Sequence, residues 1–282
     1  MLGTWKEAIQ ELNNSGVYLQ DLDGSGQSYP VRAITDPRQA AGVRSALVLV
    51  KAWQTRRAAA QLETILAPNG LALTLQNGLG NREILASRLG PRRVAAGVTT
   101  LGASLLGPGR VRLAGEGPVT LEPHANLGMI EHILRRAGFN VEVAADLQAL
   151  QWGKLVINAA INPLTAVLGV KNGELVARAE ARELLGTLAR EAAAVAAAQG
   201  IELPYGDPVS AAEHVALRTA QNTSSMLQDI RRGAPTEVDQ ISGAVVRLGS
   251  QVGVPTPFNR VLWLLVKTVQ SHAEPVQELV YS

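Results

Sequence analysis

Apolar residues fall into two rhythms along this chain. In the first half, short unbroken apolar runs alternate with segments in which apolar residues recur every three to four positions. ALVLVK (46–51) and LALTLQ (71–76) have the length and composition of fully buried strands, whereas TRRAAAQLETIL and EILASRLG carry helical spacing. VYLQDLDGSGQSYPVRAI predicts a hairpin turning at Asp23-Gly24. VAAGVTTLGASLLGPGRVRLAGEG continues as strand, and NLGMIEHILRRAG as helix before NVEVAAD. Buried strands separated by helices imply a parallel sheet with crossovers, ending in antiparallel strands. After Asp146 only the helical rhythm survives. It runs through LQALQWGKL, ARELLGTLAREAAAVAAAQG, DPVSAAEHVALRTAQN, TEVDQISGAVVRLGSQVG and VPTPFNRVLWLLVKTVQSH, the last entered through Pro255 and Pro257. The pattern predicts an α/β domain over 1–145 and an all-helical domain over 146–282.

Composition narrows the classes of function. With 282 residues, 46% of them hydrophobic and 18% charged, the chain is long enough for two cores. The formal net charge is +2, and Arg56–Arg57, Arg92–Arg93, Arg135–Arg136 and Arg231–Arg232 are scattered pairs, so no basic tract points to nucleic acid. The absence of cysteine excludes disulfides, thiolate zinc sites and a cysteine nucleophile. His124, His132, His214 and His272 are isolated, which argues against a histidine metal site. The apolar runs fall short of the roughly 18 residues of a membrane span, and MLGTWKEAIQEL lacks a basic region followed by an apolar one. The expectation is a soluble, cytoplasmic chain.

Chemistry concentrates in three places. In QWGKLVINAAINPLT (151–165), Lys154, Asn158 and Asn162 recur every fourth position, so on a helix they share one side. A stripe of one ammonium and two carboxamides among Leu, Val, Ile and Ala suits a cleft holding a polar ligand, where desolvation brings a lysine towards the working pH as a proton donor. It equally suits a lysine that snorkels to water beside helix-bridging asparagines. Pro163 removes one backbone hydrogen bond and predicts a kink. The second place is Gln76-Asn77-Gly78-Leu79-Gly80 after a strand, where glycines admit a cofactor close to the backbone or simply form an Asn-Gly turn; Lys51 ends the preceding strand at the equivalent rim. The third is NTSSMLQDIRRGAPTEVD (222–239). Ser225 with Gln228 and Thr236 with Asp239 fit capping boxes, which puts Glu237 in a helix's first turn. Two such helix starts would also receive a substrate carboxylate.

QNGLG, GVTTLGA, WGKLVINAAINPLTAVLG, NGEL and SSMLQDIRRGAPTEVD together resemble the ketopantoate reductase family, in order from about residue 45 onward. The resemblance implies a Rossmann-type NADPH domain joined to a helical domain, reducing 2-dehydropantoate to (R)-pantoate in the cleft between them. It implies that Lys154 protonates the ketone oxygen and that Asn158, Asn162 and Asn172 position the substrate. Ser225, with Asn222 nearby, would meet the carboxylate. Glu237 would be the acidic residue near the cofactor and the lysine, holding the ammonium protonated. Asn77 would touch both ligands, and Lys51, Gly78 and Ala103 would line the cofactor. The expected partner is a small 2-oxo acid, in a monomer or homodimer, with no role for nucleic acid or membrane.

The family opens with a strand and a GxGxxG turn that hold the pyrophosphate. This sequence contains no such stretch, and MLGTW resembles the family's second strand. The expectation is that a first strand and helix of roughly 20 to 25 residues are absent, and that NADPH binding by the chain as given is weakened. Two alternatives stand beside the main reading. One is a reductase of another branched 2-oxo acid, and the other is a non-catalytic paralogue.

Overall fold

The computed structural model describes residues 1–271. Along the chain run α1 (Lys6–Ser15), β1 (Val17–Gln20), β2 (Gly26–Tyr29), β3 (Val43–Val48), α2 (Thr55–Ile65), β4 (Leu66–Thr74), α3 (Asn81–Leu89), β5 (Val94–Thr99), β6 (Gly102–Gly107), β7 (Arg110–Gly115), β8 (Val119–Leu121), α4 (Gly128–Arg136) and β9 (Val141–Val143). Helices follow: α5 (Leu147–Leu168), α6 (Glu174–Ala177), α7 (Ala179–Ala198), α8 (Pro208–Arg218), α9 (Ser225–Arg231), α10 (Ser242–Val252) and α11 (Pro257–Ser271). The chain divides into two compact units. The first comprises Met1–Leu49, Thr55–Leu75 and Arg82–Ala145; the second takes in Val50–Gln54, Gln76–Asn81 and the described chain from Asp146.

The first unit is α/β. Its five-stranded sheet has the order β3-β4-β5-β8-β9, with β3, β4 and β5 mutually parallel, β8 antiparallel to β5, and β9 parallel to β8. Leu71, Leu73, Ala95, Val119 and Leu121 from the strands pack with Ile130 and Leu134 of α4, the sort of apolar face a crossover helix must cover. The predicted hairpin forms as β1 and β2, which lie with β7 and β6 in a separate four-stranded sheet. One expectation fails. ALVLVK is not a fully buried strand: β3 ends at Val48, and Leu47 and Leu49 are 44% and 63% exposed. Among the described residues β3 pairs with β4 alone, so it is a sheet edge, which leaves its outer flank uncovered.

The second unit is helical and built around α5. Asp146 caps α5, accepting the Ala149 N–H at 3.0 Å, and Gly169 ends it at φ 69°. The helix continues through Pro163. α5 packs against α7, α8, α9 and α11. Alanines make this close approach feasible: Ala159 and Ala160 of α5 and Ala189, Ala192 and Ala196 of α7 are fully buried. They surround Trp152, Leu155, Leu185 and Leu188 in one core. Helix α11 begins at Pro257, with the Phe258 and Asn259 N–H groups both donating to Glu191 at 2.9 Å. Its predicted end at His272 lies outside the described residues.

The core makes a direct prediction. Leu185 is fully buried whereas Leu217 is 56% exposed. Leu185→Ala should lower unfolding stability by about 3 kcal/mol and Leu217→Ala by less than about 0.5 kcal/mol, measured by urea unfolding; equal effects would misplace this core.

Candidate active site

The α5 stripe forms as the spacing predicts: Lys154, Asn158 and Asn162 lie on a single helix, the first two partly buried and the third buried. Gly153 lets a neighbouring segment approach directly beside the lysine. A Cβ there would stand 2.7 Å from the Pro204 ring, and the Tyr205 hydroxyl donates to the Gly153 carbonyl at 2.8 Å. Burial pushes the Lys154 amine down from 10.5 to about 8, and the charge of Glu237 opposes that shift. An amine so placed is a cation at neutral pH that gives up its proton readily.

Glu237 is 5% exposed. Its carboxylate accepts the Ala52 N–H at 3.0 Å and the Asn77 carboxamide at 3.4 Å. The helix-start expectation for this residue is wrong. Glu237 stands in a turn, and α10 begins only at Ser242, because Ile241 leaves the helical region at φ −104°, ψ −92°, and the Gly243 N–H reaches back to the Val238 carbonyl at 2.9 Å. Thr236 is accordingly no cap for that helix. The loop Gln76–Asn81 lies backbone to backbone on this turn, with the Leu79 N–H donating to the Gln240 carbonyl at 3.1 Å. Gly78 permits it: φ is 78°, and an added Cβ would sit 2.4 Å from the Gln240 oxygen.

The start of α9 lies beside the stripe's far end. Thr165, one turn beyond Asn162, donates to Ser224 at 2.6 Å, and Ser224 accepts the Leu227 N–H at 3.2 Å. The N-cap is thus Ser224. The predicted Ser225–Gln228 capping box does not form; Gln228 donates instead to the Thr223 carbonyl at 2.9 Å, and Ser225 is left exposed on the first turn of α9. Asn172 joins the same region, its N–H donating to the Asn222 carbonyl at 3.1 Å and its carboxamide to Thr219 at 2.9 Å. Its side-chain oxygen is buried with no partner, an acceptor suited to a ligand hydroxyl. Asn222 is exposed.

Lys51 has a partner that spacing does not disclose. Its ammonium lies 2.6 Å from Asp229, a carboxylate 3% exposed that also takes Arg232 at 2.9 Å. This pair fastens the Val50–Gln54 segment to α9 and so places the Ala52 N–H on Glu237. The structure therefore assembles Lys51, Asn77, Gly78, Lys154, Asn158, Asn162, Asn172, Asn222, Ser225 and Glu237 within one unit, while Ala103, exposed on β6, belongs to the other. Asp229 and Ser224 are the members missed from sequence. The Ser-Ser pair gives no sign of which serine caps, and Asp229 reads as an ordinary polar position in a helix.

Among the described residues, no group of three His, Asp or Glu side chains could hold a metal ion, and no helix is long and apolar enough to cross a membrane. His272 lies outside them. A nicotinamide cofactor can be tested against the donor set. Parallel β3 and β4 lead directly into Lys51 and Asn77-Gly78, the carboxyl-end position at which such sheets take ligands. The residues present fit that group.

A parallel α/β sheet followed by a helical unit, with a depressed lysine beside a buried carboxylate, defines a carbonyl-reducing oxidoreductase with a Rossmann-type domain. Residues 1–126 match the profile described as ketopantoate reductase PanE/ApbA and residues 146–270 its C-terminal counterpart. The 2-dehydropantoate 2-reductase of Archaeoglobus fulgidus is 42% identical over 229 residues, 79% of this chain and 76% of the relative. That of Halobacterium salinarum is 34% identical, covering 96% of this chain and 90% of its own. Among solved structures, a PanE/ApbA family ketopantoate reductase from Ralstonia eutropha JMP134 superposes with TM-score 0.88 at 32% identity, covering 95% of this chain and 89% of that one. D-mandelate dehydrogenase in a ternary structure with NADH and anilino(oxo)acetate gives 0.87 at 25% identity, with 96% and 90% covered. This chain belongs to the ketopantoate reductase family.

Two outcomes follow from the geometry. Ser224→Ala should cost about 1–2 kcal/mol, losing a cap and a buried partner of Thr165, whereas Ser225→Ala should leave thermal unfolding unchanged; the reverse order would restore Ser225 as the cap. For Lys154, the folded chain releases the proton near pH 8 and the unfolded chain near 10.5, so the unfolded state binds more protons between them. The lysine's contribution to stability should therefore rise with pH across that window, by an amount on the order of 1 kcal/mol, and Lys154→Met should abolish the rise in unfolding free energy.

Proposed function

We propose that this chain reduces 2-dehydropantoate to (R)-pantoate with NADPH, the step that supplies pantoate for pantothenate synthesis. The cofactor supplies hydride to the ketone carbon. Lys154 supplies the proton, its ammonium standing over the ketone oxygen as negative charge develops there, where a positioned cation in a water-poor site acts most strongly. The negative charge of Glu237 favours the protonated amine, and its oxygens are held in place by the Ala52 N–H and Asn77. Asn158 and Asn162 orient the substrate beside the lysine. The Asn172 oxygen, buried without a partner, suits a substrate hydroxyl, and exposed Ser225 with Asn222 suits the carboxylate. Cofactor contacts in the helical unit fall to Lys51, Asn77, Gly78 and Glu237. In this reading the nucleotide unit ends near residue 145 and the helical unit carries the proton-transfer groups.

The observation that carries this reading is the Lys154 amine, depressed by burial and answered by the charge of Glu237. The support for the substrate is the 2-dehydropantoate 2-reductases at 42% and 34% identity. Turnover of 2-dehydropantoate should exceed that of an aryl 2-oxo acid, and NADPH should be preferred to NADH; the opposite preferences would move the assignment towards the D-mandelate dehydrogenase pattern.

Lys154→Ala should lower kcat by roughly 100-fold or more while changing cofactor affinity by less than about threefold, since the lysine acts mainly in the transition state. In the wild type, kcat for reduction should decline above about pH 8 as the donor loses its proton. Steady-state oxidation of NADPH from pH 6 to 10 reads both, and unchanged turnover in the alanine variant would remove Lys154 from the mechanism.

A further inference from the structure

Glu237 occupies an irregular turn, so nothing in a regular helix fixes where its carboxylate stands. The turn is held on one side by the Gln76–Asn81 loop. On its other side it meets α11. There the Thr236 N–H and hydroxyl both donate to the Gln270 side-chain oxygen at 2.8 Å. The indole N–H of Trp263 donates to Asp239 at 2.6 Å, and the Lys267 ammonium lies 3.2 Å from the same carboxylate and 5.8 Å over the Trp263 ring. Residues 263, 267 and 270 are spaced four and three apart, so they share one face of α11. Arg247 of α10 adds a bond to the Asp239 carbonyl at 3.0 Å. The two residues so fastened flank Glu237, one immediately before it and one two positions after.

We propose that Asp239, Trp263, Lys267 and Gln270 form a clamp that fixes the Glu237 carboxylate at its working distance from Lys154. They are positioning residues, since none is held here to touch substrate or cofactor. The inference rests on the Lys154–Glu237 pairing of the proposed function and adds what holds it. Because the attraction between two charges falls with distance, a turn released from α11 lets the carboxylate drift and weakens its hold on the lysine's proton. The other charges near the turn are accounted for. Lys51 is paired with Asp229, which also takes Arg232, and on the α11 side stand Asp239, Lys267 and Arg247.

The test titrates Lys154 directly, without cofactor or turnover. The chain has five lysines, so ε-carbon-labelled lysine gives five NMR signals, with Lys154 assigned through Lys154→Arg. Asp239→Ala should lower the Lys154 midpoint by roughly 0.5 pH unit or more, and Trp263→Phe, which removes the indole donor but keeps an aromatic ring, should lower it in the same direction. Asp239→Asn removes the charge yet keeps an oxygen for the Trp263 N–H, so it should stay close to wild type. An Asn variant shifted as far as the Ala variant would mean that Asp239 acts by its charge alone, and an unmoved midpoint in both Asp239→Ala and Trp263→Phe would mean that α11 holds only the fold; either result overturns the clamp. Glu237→Gln separates the two claims. If it lowers the midpoint while Asp239→Ala does not, the pairing stands and the clamp falls; if Glu237→Gln leaves the midpoint in place, the pairing itself is wrong and the clamp falls with it.

Discussion

A positive charge held in a hydrophobic helical core is the constraint around which this structure is arranged. Lys154 lies on α5 two residues after Trp152, which is 1% exposed, in a helix whose neighbours are leucine, valine and alanine. Removing an ammonium from water is costly, and one nearby carboxylate repays that cost only in part, so a buried ion pair is weak evidence for stability. An apolar side chain at 154 would pack at least as favourably. The polar stripe, the buried Glu237 and the network around it are therefore better understood as equipment for a reaction than as reinforcement of the fold.

Satisfying the carboxylate dictates much of the remaining architecture. Glu237 needs donors that are not themselves mobile, and it takes one from the backbone of Ala52 and one from Asn77. Both come from short segments far away in sequence. Each segment is tied down independently, Val50–Gln54 through the Lys51–Asp229 pair and Gln76–Asn81 through the Leu79–Gln240 backbone bond. Asp229 is itself buried and meets two cations, Lys51 and Arg232, so it anchors both.

The architecture was largely legible in the sequence because periodicity reports burial, and burial is what distinguishes these strands from these helices. The α5 stripe was legible for the same reason: three polar heads at fourfold spacing in an apolar helix have few explanations. What was not legible depends on partners distant in sequence. ALVLVK looks buried because its composition is that of an inner strand, yet composition says nothing about which neighbours are present to cover it. The caps misled because Ser224 and Ser225 are chemically identical, and only the Thr165 hydroxyl, 59 residues away, selects between them. Glu237 was placed in a helix because TEVD has the form of a helix start; the turn wins because the backbone breaks at Ile241, at φ −104° and ψ −92°, before α10 can begin. The Ala52 donor carries no side-chain signature at all.

One consequence concerns how the chemistry is divided along the chain. Lys51 and Asn77 lie in the segments that follow strands β3 and β4, yet their fastenings run to α9 and to the Glu237 turn within the helical unit. Groups that a sequence-order division would assign to the first half are thus positioned by the same elements that carry Lys154. Under the proposed reaction, the groups assigned to proton delivery and substrate orientation therefore belong to one compact unit. The arrangement separates two demands that a carbonyl reductase must meet together. In the proposed reaction the donor has to be held closely because proton transfer tolerates little error in distance, whereas a sheet that takes a nucleotide has to admit and release a large ligand.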